Sequence, residues 1–188
     1  MRDINVIVTA AGAPGAPGII KSLRLNNERK IRIVATDMNP ESAGLFMADS
    51  AYIVPHGMSP EFIPKMLEIA EKENIDVILP LSTYELMNLS KSKRKFEEIG
   101  TKVAVSDPEP LEIANNKGKL YEFLRKKGIP VPDSIMVNNL SQFEESVFKL
   151  GYPDVPVCVK PQVSKGSRGF RIIKKDVNKL DLYLNYKP

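Results

Sequence analysis

Short apolar runs alternate with amphipathic segments along the first part of the chain. In the segment that starts near residue 59, Ile63, Met66, Leu67 and Ala70 recur at the spacing of one buried helix face. Similar segments at 18–27 and 83–98 also predict helices. Apolar, largely β-branched runs predict five strands, at residues 4–9, 31–37, 51–54, 76–81 and 102–106. Nearly continuously apolar strands that alternate with helices predict a doubly wound parallel α/β sheet with helices on both faces.

The pattern changes after an Asp-Pro-Glu-Pro segment at 107–110, which predicts a break. Beyond it, the spacing predicts helices at 111–127 and 140–150, a short strand at 135–137, and two strands of a hairpin at 155–161 and 169–175. We therefore expect two domains. A Rossmann-like parallel-sheet domain occupies 1–110, and a small α+β domain occupies 111–188.

Charge separates the same two parts of the 188-residue chain. Residues 1–110 carry 13 basic and 15 acidic side chains, whereas residues 111–188 carry 14 basic and 8 acidic ones. The basic second part favours an anionic ligand. Trp is absent and no basic run is interleaved with aromatic residues, so we expect no nucleic-acid partner. No apolar run reaches the roughly 18 residues of a membrane span, and we expect a cytoplasmic protein.

Single copies of cysteine and histidine limit the chemistry further. Cys158 and His56 are the only residues of their types, which excludes a disulfide framework and a Cys- or His-cluster metal site in this sequence. A Ser-His-Asp triad is disfavoured as well. No catalytic residue can be assigned from the pattern.

A glycine-rich loop follows the first strand, with glycines at Gly12, Gly15 and Gly18. The spacing differs from the GxGxxG dinucleotide motif, and Pro14 and Pro17 remove two amide donors that a pyrophosphate cradle needs. Asp37, at the end of the second strand, stands where a ribose-binding acid would be. A tight strand-to-helix turn is the favoured interpretation, and a nicotinamide-dependent oxidoreductase is an alternative.

The second domain places one lysine in an apolar hairpin strand. Lys160 ends the run VPVCV and precedes a loop with the sequence QVSKGSRG. The hydroxyls, cations and glycines of this loop are suited to closing over a polyphosphate. The alternative is a surface turn with Lys160 in solvent. The chain contains no Walker A motif.

Four segments in order resemble one family, the carbamoyl-phosphate synthase large-subunit-like proteins of the ATP-grasp superfamily. They are TDMNPESAGLFMADSAYIVP (36–55), DVILPLSTYEL (76–86), NNKGKLYEFLRKKGIPVP (115–132) and VPVCVKPQVSKGSRGF (155–170). The resemblance covers essentially the whole chain. It implies that 1–110 is a pre-ATP-grasp domain and that 111–188 is the first subdomain of an ATP-grasp domain, apparently truncated.

The resemblance also implies site residues. Gly12, Gly15 and Glu85 correspond to positions that face the acceptor substrate. Asn116 replaces an acid that the family usually carries before the first lysine. The ATP-binding positions correspond to Lys117, Lys160, Ser164, Lys165, Gly166, Ser167, Arg168 and Gly169. Ligands of Mg²⁺ are expected beyond residue 188, with none in this chain.

The function that the resemblance implies is that of the N-terminal portion of an ATP-dependent carboxylate–amine ligase. Such an enzyme activates a carboxylate as an acyl phosphate, and its partners are small carboxylate and amine substrates. A non-catalytic nucleotide-binding or regulatory subunit that needs a partner chain is the main alternative. A homodimer is a further expectation that the sequence leaves open, and we expect no ligase turnover from this chain alone.

Overall fold

The computed structural model describes residues 2–164, 166 and 168–175. Contacts between residues divide the chain into two compact units, Met1–Leu111 and Glu112–Pro188. Each unit has buried apolar residues of its own.

The first unit is built on a five-stranded parallel sheet, which confirms the predicted fold class. Its order is β3-β2-β1-β4-β5. Because all pairs are parallel, the carboxyl ends of the strands meet at one edge of the sheet. The strands are β1 (Ile4–Val8), β2 (Ile31–Asp37), β3 (Ser50–Ile53), β4 (Val77–Leu79) and β5 (Lys102–Val103).

Helices cover both faces of this sheet. They are α1 (Ala16–Arg24), α2 (Phe62–Lys72), α3 (Thr83–Lys91) and α4 (Lys93–Glu98), and a short 3-10 helix spans Ala43–Met47. Side chains alternate along a strand, so β1 and β2 bury residues on both sides. Val6, Val8 and Ile33 pack against Ile20 of α1. The other face carries the larger cluster, which includes Ile7, Val34, Phe62, Met66, Ile78, Leu89 and Phe96.

The second unit is smaller and contains an antiparallel hairpin. Its helices and strands, together with the helix that contains the boundary between the units, are α5 (Pro108–Asn115), α6 (Lys117–Lys126), α7 (Leu140–Lys149), β6 (Val157–Val159) and β7 (Arg171–Ile173). In the hairpin, Cys158 pairs with Ile172 and Val159 with Arg171. The core between α7 and the hairpin is formed by Phe143, Val147, Val157 and Ile173.

The secondary structure differs from the sequence prediction in four places. The expected break at 107–110 is the start of α5, because Pro108 and Pro110 lie in a first turn, whose amides need no helical partner. The helix predicted at 83–98 divides at Ser92, and the one at 111–127 divides at Asn116. The strand predicted at 135–137 is wrong, since that stretch forms no strand.

Truncating a central strand residue should destabilise the first unit strongly. Ile78 of β4 is fully buried, whereas Ile53 of β3 is 50% exposed. We expect Ile78→Ala to lower the free energy of unfolding by about 2–5 kcal/mol, because it leaves a cavity in the core. The matched variant Ile53→Ala should cost about 1 kcal/mol or less. Urea unfolding followed by circular dichroism measures both, and equal losses would contradict the assigned core.

Candidate functional site

The order of the strands creates a crevice at the carboxyl edge of the sheet. β1 lies between β2 and β4; the chain leaves β1 through α1 towards β2, whereas it leaves β4 through α3 towards β5. The two connections therefore diverge at the point where α/β proteins bind their ligands. Thr9 follows β1 and Glu85 lies in the first turn of α3, so both residues are placed at this point.

One carboxylate oxygen joins the two diverging connections. Oε1 of Glu85 accepts hydrogen bonds from the Thr9 hydroxyl, from the amide of Leu81 at 3.1 Å and from the amide of Ser82 at 2.8 Å. Ser82 and Glu85 also form a capping box that starts α3, with the Ser82 Oγ accepting from the amide of Tyr84 at 3.2 Å. The end of β1 is thus tied directly to the segment that links β4 with α3.

Burial raises the pKa of Glu85 above the usual range of a glutamate. The side chain is only 3% exposed. The hydrogen bonds from Thr9, Ser82 and Leu81 act in the opposite direction, while the charge of Asp37 adds to the rise. Glu85 is therefore a buried carboxyl group at the crevice rather than an exposed side chain that projects into solvent.

Asp37 uses its carboxylate to hold the glycine loop. Its Oδ2 accepts from the amide of Gly12 at 2.7 Å, its Oδ1 accepts from the amide of Asn39 at 2.8 Å, and the residue is 8% exposed. A Cβ added to Gly12 would lie 2.4 Å from Oγ of Ser42, so a larger residue here would force that buried side chain to move. These contacts fit the tight strand-to-helix turn that the sequence analysis favours. They also occupy the carboxylate of Asp37, the candidate ribose-binding acid of the nicotinamide alternative. Gly15 is exposed and precedes α1 as its N-cap.

A second loop, absent from the sequence prediction of the site, packs on the start of α3. A Cβ at Gly57 would lie 2.8 Å from Cβ of Glu85, and Nδ2 of Asn88 donates to the carbonyl of Gly57 at 2.8 Å. The rings of His56 and Tyr84 lie beside each other, with centroids 4.9 Å apart. His56 is the only histidine of the chain, and a lone histidine in a loop carries no sequence signal that places it here.

In the second unit, the start of α6 contacts the loop that follows Lys160. The amide of Lys117 donates to the carbonyl of Gln162 at 2.9 Å, and Nζ of Lys117 lies 3.0 Å from Oγ of Ser164. The structure therefore brings together two of the residues predicted to bind ATP, although they are 47 positions apart in the sequence.

Asn116 explains how this junction is made. Its Oδ1 accepts from the amide of Lys119 at 3.0 Å, which caps α6, and its Nδ2 donates to Oε1 of Gln162 at 3.2 Å. Asparagine and aspartate cap helices equally well. The departure from the family's acid at this position therefore preserves the cap, and the amide adds a donor that a carboxylate lacks.

Lys160 lies on the exposed face of the hairpin. The register of β6 and β7 places it opposite Phe170, and its Nζ lies 5.6 Å from the centroid of that ring, a cation–π contact. Cys158 and Ile172 share this face and are both exposed. Within the described residues, no carboxylate forms an ion pair with Lys117 or Lys160.

The loop after Lys160 has glycines with left-handed backbone conformations. Gly166 has φ of 55° and Gly169 has φ of 77°, values that favour glycine. Arg168 of the same loop is exposed. The predicted site residues Lys165 and Ser167 lie outside the described residues.

Two searches of the described residues gave negative findings. Within residues 2–164, 166 and 168–175, no group of three or more His, Cys, Asp or Glu residues is arranged to hold a metal ion. Over the same residues, none of the helices combines the length and the apolar character needed to cross a bilayer.

Comparison with known proteins identifies the family. The model of the PylC-like N-terminal domain matches residues 6–104, which is more than half of the chain. The chain belongs to the PylC-like N-terminal domain family. The predicted kinship with carbamoyl-phosphate synthase large-subunit-like proteins of the ATP-grasp superfamily is also confirmed.

Curated relatives of this PylC-like chain are large enzymes. It is 31% identical over 140 residues to the carbamoyl phosphate synthase large chain of Thermoplasma acidophilum, a match that covers 72% of this chain and 12% of that one. It is 28% identical over 172 residues to pyruvate carboxylase of Bacillus subtilis, covering 87% of this chain and 15% of the enzyme. The chain thus spans about an eighth of the length of such relatives.

Solved structures share the fold. The biotin carboxylase domain dimer of Hydrogenobacter thermophilus 2-oxoglutarate carboxylase, in complex with MgADP, ADP and bicarbonate, superposes with a TM-score of 0.68 at 23% identity. That match covers 99% of this chain and 40% of the other. N5-carboxyaminoimidazole synthetase of Staphylococcus aureus, complexed with ADP, has a TM-score of 0.65 at 14% identity and covers 97% and 43%.

Stability should depend on pH through Glu85. A carboxyl group whose pKa is raised in the folded state binds its proton more tightly there than in the unfolded chain. The free energy of unfolding therefore falls as the pH rises from the usual glutamate range through the folded pKa. Glu85→Gln keeps an oxygen acceptor for the capping box and cannot ionise. We expect the wild type to lose stability relative to Glu85→Gln between pH 4 and pH 7, measured by urea unfolding at both.

Glu98→Gln provides the control for that measurement, because Glu98 is an exposed glutamate of α4. Its stability difference from the wild type should vary less with pH than that of Glu85→Gln. The same pH dependence in both variants would show that burial of Glu85 is not the cause.

Proposed function

We propose that this chain is the N-terminal part of an ATP-dependent carboxylate–amine ligase, of the carbamoyl-phosphate synthase type or a relative of it. The observation that carries the proposal is the contact of α6 with the loop that follows Lys160, where Nζ of Lys117 lies 3.0 Å from Oγ of Ser164. Among the described residues, Lys117 has no carboxylate partner. This lysine, a hydroxyl and a loop of permissive glycines together make a suitable environment for phosphate oxygens.

The exposed face of the hairpin fits the rest of a nucleotide. Lys160 supplies a second cation, held beside the ring of Phe170. Cys158 and Ile172 supply an apolar surface on the same face, with Ile172 52% exposed. A base is flat and largely apolar, and its phosphates are anionic, so this face and this loop match the two ends of ATP. The residues proposed to bind ATP are Lys117, Lys160, Ser164, Lys165, Gly166, Ser167, Arg168 and Gly169.

ATP supplies the phosphoryl group that converts a carboxylate into an acyl phosphate, whose carbonyl carbon is then open to attack by an amine. The cations of this chain would hold the phosphates and offset their charge. Among the described residues no acidic cluster fits Mg²⁺, so we assign no metal-dependent step to them.

The crevice at the carboxyl edge of the first sheet is the proposed acceptor-substrate side. Gly12 and Gly15 are exposed in the loop after β1, and Glu85 is buried at the start of α3. The contacts of Glu85 with Thr9, Leu81 and Ser82 make it a positioning residue for the crevice walls.

Removal of Lys160 tests the nucleotide site. We expect Lys160→Met to weaken ATP binding by about 10- to 100-fold, since a charge-assisted hydrogen bond contributes about 1.5–3 kcal/mol. Lys117→Met should have an effect of similar size. Equilibrium dialysis of the 188-residue chain with radiolabelled ATP measures both.

Lys149→Met is the matched control, because Lys149 is an exposed lysine at the end of α7. ATP affinity should be unchanged in that variant. If all three variants lost affinity equally, a general effect of positive charge would replace the proposed site.

Ligase chemistry requires a separate measurement on the native polypeptide purified from its source. ADP release that needs both a carboxylate and an amine supports the ligase. ATP binding without such release supports the non-catalytic nucleotide-binding subunit. The intact mass of that polypeptide, compared with the 21.0 kDa of this chain, shows how much protein accompanies it.

A further inference from the structure

A cavity of about 330 Å³ lies in the first unit, at the edge of the sheet opposite Thr9 and Glu85. All its lining residues lie at or just before the amino ends of strands, which meet at one edge because the sheet is parallel. They are Arg2, Ile4, Arg29, Asp76, Gly100 and Lys102. Nothing in the proposed ligase chemistry uses this edge.

The charge around this cavity is predominantly positive. Three cationic side chains, Arg2, Arg29 and Lys102, line it together with a single carboxylate, that of Asp76. Both oxygens of that carboxylate are engaged, since Oδ1 pairs with Arg2 and Oδ2 accepts from the amide of Asn5 at 2.8 Å. Cationic side chains thus outnumber acidic ones in the lining, and Arg29 has a further interaction of its own.

Lys102 is the cation best placed to take a ligand. Within the described residues, its ammonium group forms no ion pair or hydrogen bond. Its backbone is fixed, because the amide of Lys102 donates to the carbonyl of Asp76 at 2.9 Å and the amide of Asp76 donates to the carbonyl of Asn5 at 2.9 Å. The cation thus extends from a rigid sheet edge.

Gly100 keeps one side of the cavity open. Its φ of 83° is a glycine conformation, and a Cβ added there would meet no atom within 4 Å. The volume is at the lower end of the range of small-molecule sites. Apart from Ile4 and Gly100, the lining is charged, which disfavours an apolar ligand. Arginine and lysine side chains match phosphate and carboxylate oxygens.

We propose that this cavity binds a small oxyanion. The site is separate from the nucleotide site of the second unit, and it stands or falls independently of the ligase proposal. Inorganic pyrophosphate is a suitable probe, since it is a small oxyanion and contains no base.

The test is a titration of the ¹⁵N-labelled chain with pyrophosphate at constant ionic strength, followed by amide NMR signals. We expect saturable shifts at Gly100, Lys102 and Ile4. In Lys102→Met the affinity reported by these amides should fall about tenfold, the size expected for one lost charge-assisted hydrogen bond. Lys65→Met, at the start of α2, should leave it unchanged.

Lys160→Met separates this proposal from the nucleotide site. It should abolish shifts that pyrophosphate causes at Gly166 and Gly169 while those at Gly100 and Lys102 persist. Absence of saturable shifts at Gly100 and Lys102 in the wild type would overturn the inference. So would equal shifts with sodium chloride alone, or an unchanged affinity in Lys102→Met.

Discussion

One buried oxygen atom joins the two strand connections that form the crevice of the first unit. Oε1 of Glu85 receives a hydroxyl and two backbone amides, and these donors belong to the ends of two adjacent strands whose connections run to opposite faces of the sheet. A carboxylate taken out of water needs such donors, and the loop amides beside it need acceptors. The loop amides supply donors to the carboxylate, and the carboxylate supplies the acceptor that these amides need. One buried carboxyl group therefore links the crevice walls, and burial raises its pKa.

Around that group, close backbone packing decides which residue types are tolerated. Gly57 brings the loop after β3 onto the first turn of α3, and Gly12 allows Ser42 to approach the loop after β1. Three separate connections thus converge on one small region. At this carboxyl edge Gly12 and Gly15 are exposed, while Asp37 and Glu85 are buried.

Local patterns predicted much of this architecture, because apolar periodicity is a property of neighbouring residues. The run at 31–37 coincides with β2, and the alternation of strands and helices gave the parallel sheet. Glu85 and Lys117 were proposed from family resemblance, whereas Lys160 and the loop after it were proposed from the local pattern of residues. The bond from Thr9 to Glu85 spans 76 positions and that from Lys117 to Ser164 spans 47, so no local pattern contains them. The helix predicted at 83–98 divides at Ser92, where no proline or glycine in the sequence indicates a break.

The bond between Asp37 and Gly12 has a consequence for what the scaffold can become. A doubly wound sheet with a glycine loop and an acid after β2 has the outline of a nicotinamide-binding protein, yet here the acid is used to fasten the loop. Conversion of the scaffold by protein design would need Pro14 and Pro17 replaced to restore amides, and the amide of Gly12 released from Asp37. That release would remove one of two ties between the loop and β2, because the amide of Ala11 also donates to the carbonyl of Thr36 at 3.0 Å. The contact that stabilises the turn therefore uses an amide and a carboxylate that a nicotinamide cofactor would need.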